Sequence, residues 1–305
     1  MIDFAVFQDF TLLRDEPLAK YTSARLGGPA DAVYVARQSL DELVDVLRRA
    51  WTAGIPVRIL GGGANVLVSD TGVRGLVVIN HVSETEWDLE AGTVRAASGM
   101  GLVVLARQCA LRGLSGMEWA VSVPGTVGGA VVNNAGAHGG DMAGMVREAT
   151  LVDPVGEHRL SPEDLCYGYR TSALKGREDR RFLISWTRLQ LTRDDSDAIT
   201  ARMEANIAHR KRTQPPGASL GSIFKNPSGD FAGRLIEACG LKGHRIGGAM
   251  ISPIHANFFI NTGDASASDY YALIRFTQAT VAEQTGVHLE TEIETLGDFP
   301  DSSEG

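Results

Sequence analysis

The chain has 305 residues, of which 44% are apolar and 22% are charged, and its formal net charge at pH 7 is −8. This length predicts about two domains with a sizeable core, and the balance of apolar and charged residues excludes the disordered and fibrous classes. The negative net charge argues against nucleic acid as a partner, because proteins that bind nucleic acid present a basic face.

The apolar runs of the sequence predict a core and not a membrane span. They are interrupted well short of ~18 residues, and the first residues, Met-Ile-Asp-Phe, lack a basic leader region. We therefore expect a cytoplasmic protein without a membrane anchor.

The cysteines and histidines predict neither disulfides nor a metal site. Cys109, Cys166 and Cys239 are odd in number and far apart, so we expect all three to be small core residues. The seven histidines have no metal-binding spacing, and we expect no metal.

Residues 1–20 carry Phe4, Phe7, Phe10 and Leu13 at three-residue spacing. This spacing predicts a short amphipathic helix that packs on the body of the protein. We therefore interpret residues 1–20 as an N-terminal helical segment.

Residues 32–80 alternate between strand-like and helical patterns, which predicts a small α+β subdomain. The helix is predicted from Asp41 to Trp51, because apolar residues recur at helical spacing between an N-cap at Ser39 and a stop at Gly54. The predicted strands are 32–35, 55–60, 66–68 and 75–79.

Three adjacent glycines in this region predict a sharp turn between two strands. The segment Gly61–Asn65 joins the apolar runs that end at Leu60 and begin at Val66. A turn without side chains can point successive N–H groups into one concavity, and Asn65 tolerates a positive φ, so the segment is a candidate phosphate-binding loop. It has neither the Gly-Lys-Ser/Thr of a Walker loop nor the helix that follows a Rossmann fingerprint. The alternative is a plain hairpin turn.

Two runs of small residues, Val123–Ala130 and Asn133–Gly140, follow predicted strands at 85–89 and 93–97 and a predicted helix at 101–111. Proline fixes φ whereas glycine opens it, so such runs expose bare backbone to a partner. The partner is either a flat ligand or another backbone in a tight packing contact. Both interpretations fit the sequence equally well.

Strands are predicted at 148–153 and 181–191, with an aromatic and cationic loop, Tyr167–Ser172, between them. The next predicted helix is Ser196–Arg212, whose basic end suits the negative end of a helix dipole. We place a domain boundary near residue 195, shortly before this helix.

The last third of the chain mixes helical and strand-like patterns. We expect a helix that ends near Cys239, a strand at 256–260, a helix at 268–284 and a closing strand at 287–296. Residues 298–305 are acidic, and we expect a disordered tail there.

Taken together, these segments resemble the UDP-N-acetylenolpyruvoylglucosamine reductases, the MurB flavoproteins of peptidoglycan precursor synthesis. The resemblance runs nearly end to end and rests on segments that follow in the same order. They are Tyr21–Gly28, Leu60–Asn65, Val123–Gly129, Asn134–Gly136, Tyr169–Arg170, Gly221–Pro227, Gly243–Gly248 and Leu289–Gly297.

The resemblance implies an α+β fold with a two-subdomain FAD-binding region of the vanillyl-alcohol oxidase (PCMH) type, residues 21–82 and 83–195. An α+β substrate-binding domain at 196–297 is implied to follow. FAD would lie between the two subdomains, with its pyrophosphate on Gly61–Asn65 and its isoalloxazine along residues 123–136. We expect this FAD to be non-covalent, because no histidine lies between Tyr21 and Asn80.

The FAD contacts that the resemblance implies fall in three stretches. They are Tyr21, Thr22, Arg25, Leu60, Gly61, Gly62, Gly63, Ala64, Asn65, Val66, Val123, Pro124, Gly125, Thr126, Gly128, Gly129, Asn134, Ala135 and Gly136. The sequence departs from the family at Ala64, where serine is usual. The loss of one hydroxyl should matter little if backbone N–H groups hold the phosphate.

By matching position, the implied catalytic residues are Arg170, Ser222 and Glu292. In the family reaction a hydride passes from NADPH to the flavin and then to the β-carbon of an enolpyruvyl ether, which leaves enolate charge beside a carboxylate. Arg170 can offer a planar fork to these oxygens, and Ser222 can protonate the α-carbon if its proton is resupplied.

Each of these residues also has a plain structural interpretation. Arg170 could be a solvated loop arginine, and Ser222 could be a turn serine. Glu292 shares a predicted strand face with Glu290 and Glu294, so it could belong to an exposed acidic face. Thr291 also replaces the small residue or proline that is frequent in the family.

The resemblance also implies substrate contacts and a branch of the family. We place diphosphate and uracil contacts at Arg210, Lys225 and Asn226, and Tyr169 could stack on the uracil or simply pack. The stretch between Gly248 and Phe258 is short, which is typical of the branch without a tyrosine-bearing insertion and with a more open substrate cleft.

Two other functions remain open at this stage. One is an FAD oxidase of the same superfamily that acts on a hydroxy acid or a phenol. The other is a non-enzymatic protein that binds a flavin or a nucleotide sugar. The joint presence of Arg170 and Glu292 favours an enzyme.

Overall fold

The computed structural model describes residues 2–299, and its contacts divide this part of the chain into two compact units. Unit 1 comprises the residues up to Leu13 together with 32–62 and 75–210. Unit 2 comprises 14–31, 63–74 and the residues from Lys211 onward.

Both units mix helices with short strands. The α-helices are α1 Leu40–Thr52, α2 Leu102–Ala110, α3 Val127–Asn133, α4 Pro162–Leu165, α5 Ser196–Thr213, α6 Ala232–Ala238 and α7 Ala267–Thr285. The strands are β1 Leu13–Pro17, β2 Pro29–Ala36, β3 Val57–Leu60, β4 Val66–Val68, β5 Val73–Asn80, β6 Thr85–Asp88, β7 Thr93–Ala97, β8 Leu114–Ser115, β9 Gly136–Ala137, β10 Gly140–Asp141, β11 Val146–Val152, β12 Glu157–Leu160, β13 Leu183–Gln190, β14 Thr192–Arg193, β15 Arg245–Ile246, β16 Ala249–Ile251, β17 Phe259–Asn261 and β18 Glu294–Leu296.

Helix α1 forms where the sequence predicts it. The Ser39 hydroxyl accepts a hydrogen bond from the Glu42 N–H at 3.2 Å, which satisfies an N–H group that has no partner within the helix. Its apolar stripe, including Leu43, Val46 and Leu47, is fully buried. The stripe lies beside β3, which pairs in parallel with β5. These strands belong to a sheet of order β1-β2-β5-β3.

The larger part of unit 1 is an antiparallel sheet of order β12-β11-β13-β7-β6. Its core includes residues of α2 and α3 and also Ile199 and Met203 of α5. Because α5 buries its apolar side in this core, unit 1 extends through Arg210. Unit 1 therefore continues past residue 195, where the sequence predicts a domain boundary.

Unit 2 is built from segments that are far apart in sequence. Strand β4 pairs in parallel with β18, and β15, β16 and β17 form a small antiparallel sheet. Helix α7 buries Ile274, Thr277 and Val281, as the sequence predicts. Unit 2 includes residues 14–20 of the predicted N-terminal segment and residues 21–31 and 63–74 of the predicted first FAD-binding subdomain.

The N-terminal prediction of one helix is wrong. A single 3-10 turn at Ala5–Phe7 is enough to bury Phe4 and Phe7, and the chain then continues as strand β1 and a second 3-10 turn at Leu18–Tyr21. Pro17 has no N–H to donate within a helix, so a helix through residues 13–17 would be broken there.

Three smaller expectations also change. The closing strand is regular only at Glu294–Leu296, which is shorter than predicted. Cys109 is buried as expected, whereas Cys166 is exposed at a left-handed helix end. The Phe299 ring lies 4.7 Å from the ring of Tyr271, so the expected disorder does not begin at residue 298. Residues 300–305 lie outside the described part.

No helix within residues 2–299 is both long enough and apolar enough to cross a membrane.

Candidate active site

The glycine turn at 61–65 is not a hairpin turn. Strand β3, before the turn, pairs with β5, whereas β4, after it, pairs with β18. The two flanking strands therefore have different partners, and the hairpin alternative is wrong. The turn instead redirects the chain from one sheet to another.

Each glycine of the turn allows a close backbone approach. A Cβ on Gly63 would overlap the carbonyl oxygen of Tyr21, and the residue has φ of +57°. A Cβ on Gly62 would lie 3.0 Å from the Cα of Gly125, and one on Gly61 would overlap the Thr126 hydroxyl. No larger residue fits these positions without a shift of backbone or of a buried side chain.

The segment that touches Gly63 is itself a tight turn. The Thr22 hydroxyl donates to the Leu26 carbonyl at 2.7 Å and accepts from the Leu26 N–H at 3.1 Å. The Ser23 N–H donates to the Gly63 carbonyl at 3.0 Å. Arg25 is exposed with φ of +57°. These bonds bring the predicted FAD contacts of Tyr21–Arg25 next to the glycine turn.

The small-residue run at 123–130 is tightly packed at one glycine and open at another. Gly128 packs against Ser98, and its N–H donates to the Ser98 carbonyl at 2.8 Å. Gly125 instead has φ of +123° with open space where its side chain would be. One glycine thus permits tight packing, and the other leaves bare backbone open to a ligand.

The surroundings of this run fit a bound flavin nucleotide. The Ser122 hydroxyl is buried directly before the run, and it has no hydrogen-bond partner within the described residues. A buried hydroxyl in this state is costly until a ligand or water satisfies it. The open space at Gly125 leaves its backbone accessible to a flat ring or a phosphate.

Asn134 fixes the end of α3 and the loop that carries Arg170. It has φ of +45° and is buried. Its amide donates to the Gly168 carbonyl at 2.9 Å, while its carbonyl accepts from the Ala143 N–H at 3.0 Å. The Ser172 hydroxyl donates to the Val132 carbonyl at 2.6 Å, which ties down the other side of the loop.

The Arg170 guanidinium is held against the predicted flavin segment. Its Nη2 donates to the Gly136 carbonyl at 2.5 Å, and its backbone is left-handed with φ of +56°. The guanidinium carbon also lies 5.3 Å from the centre of the Tyr169 ring. These contacts make a solvated loop arginine a poor description of Arg170.

Ser222 lies in a turn that Asn257 organises. The neighbouring Ile223 N–H donates to the Asn257 carbonyl at 2.9 Å. The buried Asn257 side chain accepts from the Phe224 N–H at 2.9 Å and donates to the Phe224 carbonyl at 2.8 Å. Gly221, just before Ser222, has φ of +76° with open space beside it.

The backbone register separates Glu292 from Glu290. The Glu292 N–H donates to the carbonyl of Ile223, the residue after Ser222, at 2.8 Å. Glu290 instead pairs its carboxylate with Lys225 Nζ at 2.5 Å, and its side chain is 71% exposed. The backbone of Glu292 therefore lies beside Ile223, the residue after Ser222, whereas the Glu290 carboxylate forms a surface ion pair.

Asn65 joins the glycine turn to the same segment. Its amide donates to the Glu292 carbonyl at 3.3 Å, and its own carbonyl accepts from the Glu294 N–H at 2.9 Å. Within unit 2, therefore, the predicted phosphate loop and the Ser222–Glu292 pair share one backbone network.

The predicted substrate contacts lie in different settings. Arg210 is half-buried near the end of α5, and burial lowers the pKa of its guanidinium. Tyr169 is exposed. The Asn226 side-chain carbonyl accepts from the Ala232 N–H at 3.1 Å, so Asn226 also caps the start of α6. The role of each in binding stays a prediction.

Sequence analysis missed Asn257, which holds the Ser222 turn. A signal was present, because an asparagine within the apolar run Ala256–Ile260 must satisfy its amide when it is buried. It also missed the neighbouring rings of His138 and His209, which lie 71 positions apart in the numbering of the chain.

Two family models match the chain. The C-terminal domain model of UDP-N-acetylenolpyruvoylglucosamine reductase matches residues 213–296, and an FAD-binding domain model matches residues 31–161. A reductase of this name from Synechococcus sp. (strain RCC307) is 44% identical over 298 residues, which cover 96% of this chain and 97% of the relative. The chain belongs to the UDP-N-acetylenolpyruvoylglucosamine reductase family.

Other members of the reductase family match over similar lengths. The reductase of Bacillus velezensis (strain DSM 23117 / BGSC 10A6 / LMG 26770 / FZB42) is 38% identical over 94% of each chain. The crystal structure of the MurB reductase from Thermus caldophilus matches with a TM-score of 0.78 and 35% identity, covering 94% of this chain and 98% of that one. These matches confirm the predicted family, the α+β fold and the FAD-binding region.

Proposed function

We propose that this protein reduces UDP-N-acetylglucosamine enolpyruvate to UDP-N-acetylmuramate with NADPH, through non-covalently bound FAD. The reaction belongs to peptidoglycan precursor synthesis, and we place it in the cytoplasm. The observation that supports the proposal best is the backbone bond that sets Glu292 beside the Ser222 turn. A protein that only binds its ligand does not need a proton donor close to a glutamate.

FAD, when bound, supplies the chemistry that accepts a hydride from NADPH and returns it to an enolpyruvyl carbon. The protein must then bind the phosphates, stabilise enolate charge and deliver one proton to carbon. We assign the first task to the glycine turn at 61–65 and the run at 123–129, which offer bare backbone.

Arg170 stabilises the enolate. Its guanidinium remains protonated at neutral pH, and the bond to the Gly136 carbonyl fixes its orientation. A fixed cation aimed at developing charge lowers the barrier without reorganisation during the reaction. The left-handed backbone at Arg170 is compatible with such a constrained position.

Ser222 protonates the α-carbon of the enolate, and Glu292 supports it. A serine hydroxyl is a poor acid, so it needs a neighbour that restores its proton. We assign this role to Glu292, whose backbone N–H bonds the carbonyl of Ile223, the residue after Ser222. The carboxylate of Glu290 is instead engaged with Lys225 at the surface.

Arg170→Lys should lower kcat more than it raises KM. A lysine ammonium is a point charge and cannot keep a planar fork on the enolate while also bonding the Gly136 carbonyl. We expect a loss of about 10²-fold in kcat, the usual effect of removing one such stabilising donor. Steady-state kinetics of NADPH oxidation measure both constants. Arg159→Lys, at an exposed strand position, is the matched control. A raised KM with unchanged kcat would show that Arg170 only binds substrate.

Glu292→Gln should reduce kcat by about 10²-fold, because the amide cannot restore the proton of Ser222. Glu290→Gln is the matched change two residues away, and it removes the ion pair with Lys225, a predicted substrate contact, so any effect should fall on KM. We expect its kcat to stay near that of the unmodified protein. Equal losses in the two variants, or a larger loss in Glu290→Gln, would contradict the assignment of Glu292.

The proposed function is tested by product analysis. Purified protein is incubated with NADPH and UDP-N-acetylglucosamine enolpyruvate, and the product is identified by mass. A gain of two hydrogen atoms, with one NADPH consumed for each product, is the expected result. NADPH consumption that depends on oxygen and not on the enolpyruvyl compound would favour the FAD oxidase alternative.

A further inference from the structure

The strands β9 and β10 form a hairpin with His138 at its tip. Ala137 pairs with Gly140, so His138 and Gly139 are the two turn residues. Both have positive φ, +50° and +82°, which is the geometry of a type I′ turn. Such turns favour Asn-Gly. A histidine at the first position places an imidazole at the tip of this hairpin.

A second imidazole, from α5, lies against the first. The ring centres of His138 and His209 are 5.5 Å apart, and the rings meet edge to face. Both side chains are exposed, so a ligand can reach them. Arg210 follows His209 directly and is half-buried. Three groups that can carry positive charge are thus gathered at one place in unit 1.

The charged form of the His138 imidazole is disfavoured. Burial, then the charges of His209 and Arg210, lowers the pKa of the His138 imidazole below its ordinary value. These two are the charged groups that act on His138 within the described residues. Burial also lowers the pKa of Arg210, which still remains charged at neutral pH. An anion bound here would offset the unfavourable charge and favour the protonated His138 imidazole.

The cluster lies close in sequence to the proposed active site. His138 follows Gly136 by two residues, and the Gly136 carbonyl accepts the hydrogen bond of Arg170. The ligands of the proposed reaction all carry phosphate: a diphosphate in the UDP-sugar, and a diphosphate with an additional 2′-phosphate in NADPH. Phosphate is the anion that a cluster of imidazoles and a guanidinium binds well.

We propose that His138, His209 and Arg210 form a phosphate-binding site for the UDP-sugar or NADPH, and that phosphate binding is coupled to protonation of His138. This inference rests on the proposed function for the choice of ligands. Its consequence is that affinity for the phosphorylated ligand falls as pH rises through neutrality. The fall is up to about tenfold per pH unit for each proton taken up.

Calorimetric titration tests the coupling. FAD-loaded protein is titrated with UDP-N-acetylglucosamine, whose diphosphate has no group that titrates near neutral pH, in two buffers of different ionisation heat. Any protons taken up on binding are therefore bound by groups of the protein. We expect net proton uptake between about pH 6 and 8, around the ordinary pKa of histidine. The measured affinity should decrease across the same range.

Two variants locate the proton uptake. His138→Asn keeps a residue that tolerates the left-handed turn, and His209→Gln keeps polarity on α5. His138→Asn should remove most of the proton uptake, and each variant should weaken binding at pH 6 by about tenfold, the loss of one charge-assisted hydrogen bond. His288→Gln, an exposed histidine of unit 2, is the control and should change neither quantity.

NADP⁺ and NAD⁺ distinguish the two phosphate sources. If proton uptake on binding UDP-N-acetylglucosamine depends on the histidines, the diphosphate of the UDP-sugar is the ligand. Uptake that depends on them with NADP⁺ but not with NAD⁺ identifies the 2′-phosphate. The 2′-phosphate of NADP⁺ itself also takes up protons. This contribution cancels when the proton uptake of each variant is compared with that of the unmodified protein. If neither ligand shows histidine-dependent uptake, the inference is overturned.

The same binding data separate this inference from the proposed function. Binding is measured without turnover, and FAD content is checked by absorbance in every variant. An active reductase without histidine-dependent proton uptake would overturn only the phosphate site. Histidine-dependent uptake in a protein that never reduces the enolpyruvyl compound would support the site and contradict the proposed function.

Discussion

Ser222→Ala should slow reoxidation of the flavin by the enolpyruvyl substrate by at least about 10²-fold while leaving flavin reduction by NADPH near its normal rate. The two half-reactions use the same cofactor, but only the second delivers a proton to carbon. Removing the hydroxyl removes the proposed proton donor and little else, because the turn is held by the backbone and by Asn257.

Rapid-mixing absorbance measurements of each half-reaction give the two rates separately. Ser228→Ala, at an exposed position in the same loop region, is the matched control and should affect neither rate. If Ser222→Ala slows both half-reactions equally, the change has disturbed the fold or the flavin. Normal reoxidation in this variant would remove Ser222 from the mechanism.

Gly63→Ala should cost the protein both stability and bound FAD. The residue is left-handed, and its new Cβ would overlap the Tyr21 carbonyl oxygen, so the backbone of one segment must move. Gly54→Ala is the matched control, because Gly54 is also left-handed, with φ of +67°, but its Cβ would meet open space. Comparison of the two variants separates the cost of the steric overlap at residue 63 from the cost of the positive φ angle.

We expect Gly54→Ala to lower the free energy of unfolding by about 1–2 kcal/mol and Gly63→Ala to lower it by at least about 2 kcal/mol more. The ratio of flavin to protein absorbance should fall only in Gly63→Ala, because the displaced turn no longer presents its N–H groups. Denaturant unfolding and absorbance spectra measure both. Equal stability and equal FAD content in the two variants would show that the close approach at Gly63 has no role.

Local patterns in the sequence predict much of this fold. Helix α1 follows its apolar spacing and begins at the Ser39 cap, and α7 buries the three residues that its periodicity selects. These elements depend on neighbours within a few positions in the chain, so the sequence contains the information locally. The turn at Gly61–Asn65 is predicted for the same reason.

What could not be predicted depends on contacts between distant segments. The pairing of β4 with β18 decides that residues 63–74 join unit 2, and no local pattern indicates the partner of so short a strand. The packing of α5 against a core built from earlier parts of the chain likewise depends on distant segments. The N-terminal segment failed because one 3-10 turn buries its two rings.

The candidate site, too, could be predicted from the sequence only in part. The residue types at Arg170, Ser222 and Glu292 were available from the resemblance, but an alternating pattern could not separate Glu292 from Glu290. The backbone bond from Glu292 to Ile223 and the ion pair of Glu290 separate them in the fold. Asn257 and the His138–His209 pair are brought to their partners by tertiary structure alone.

The most direct test of the proposed function follows the flavin colour of the purified protein through one cycle without oxygen. NADPH should bleach the flavin absorbance, and UDP-N-acetylglucosamine enolpyruvate should then restore it. UDP-N-acetylglucosamine, which lacks the enolpyruvyl group, should leave the bleached protein unchanged. A flavin that NADPH does not bleach, or that the enolpyruvyl compound does not reoxidise, would contradict the assignment of this chain as the reductase.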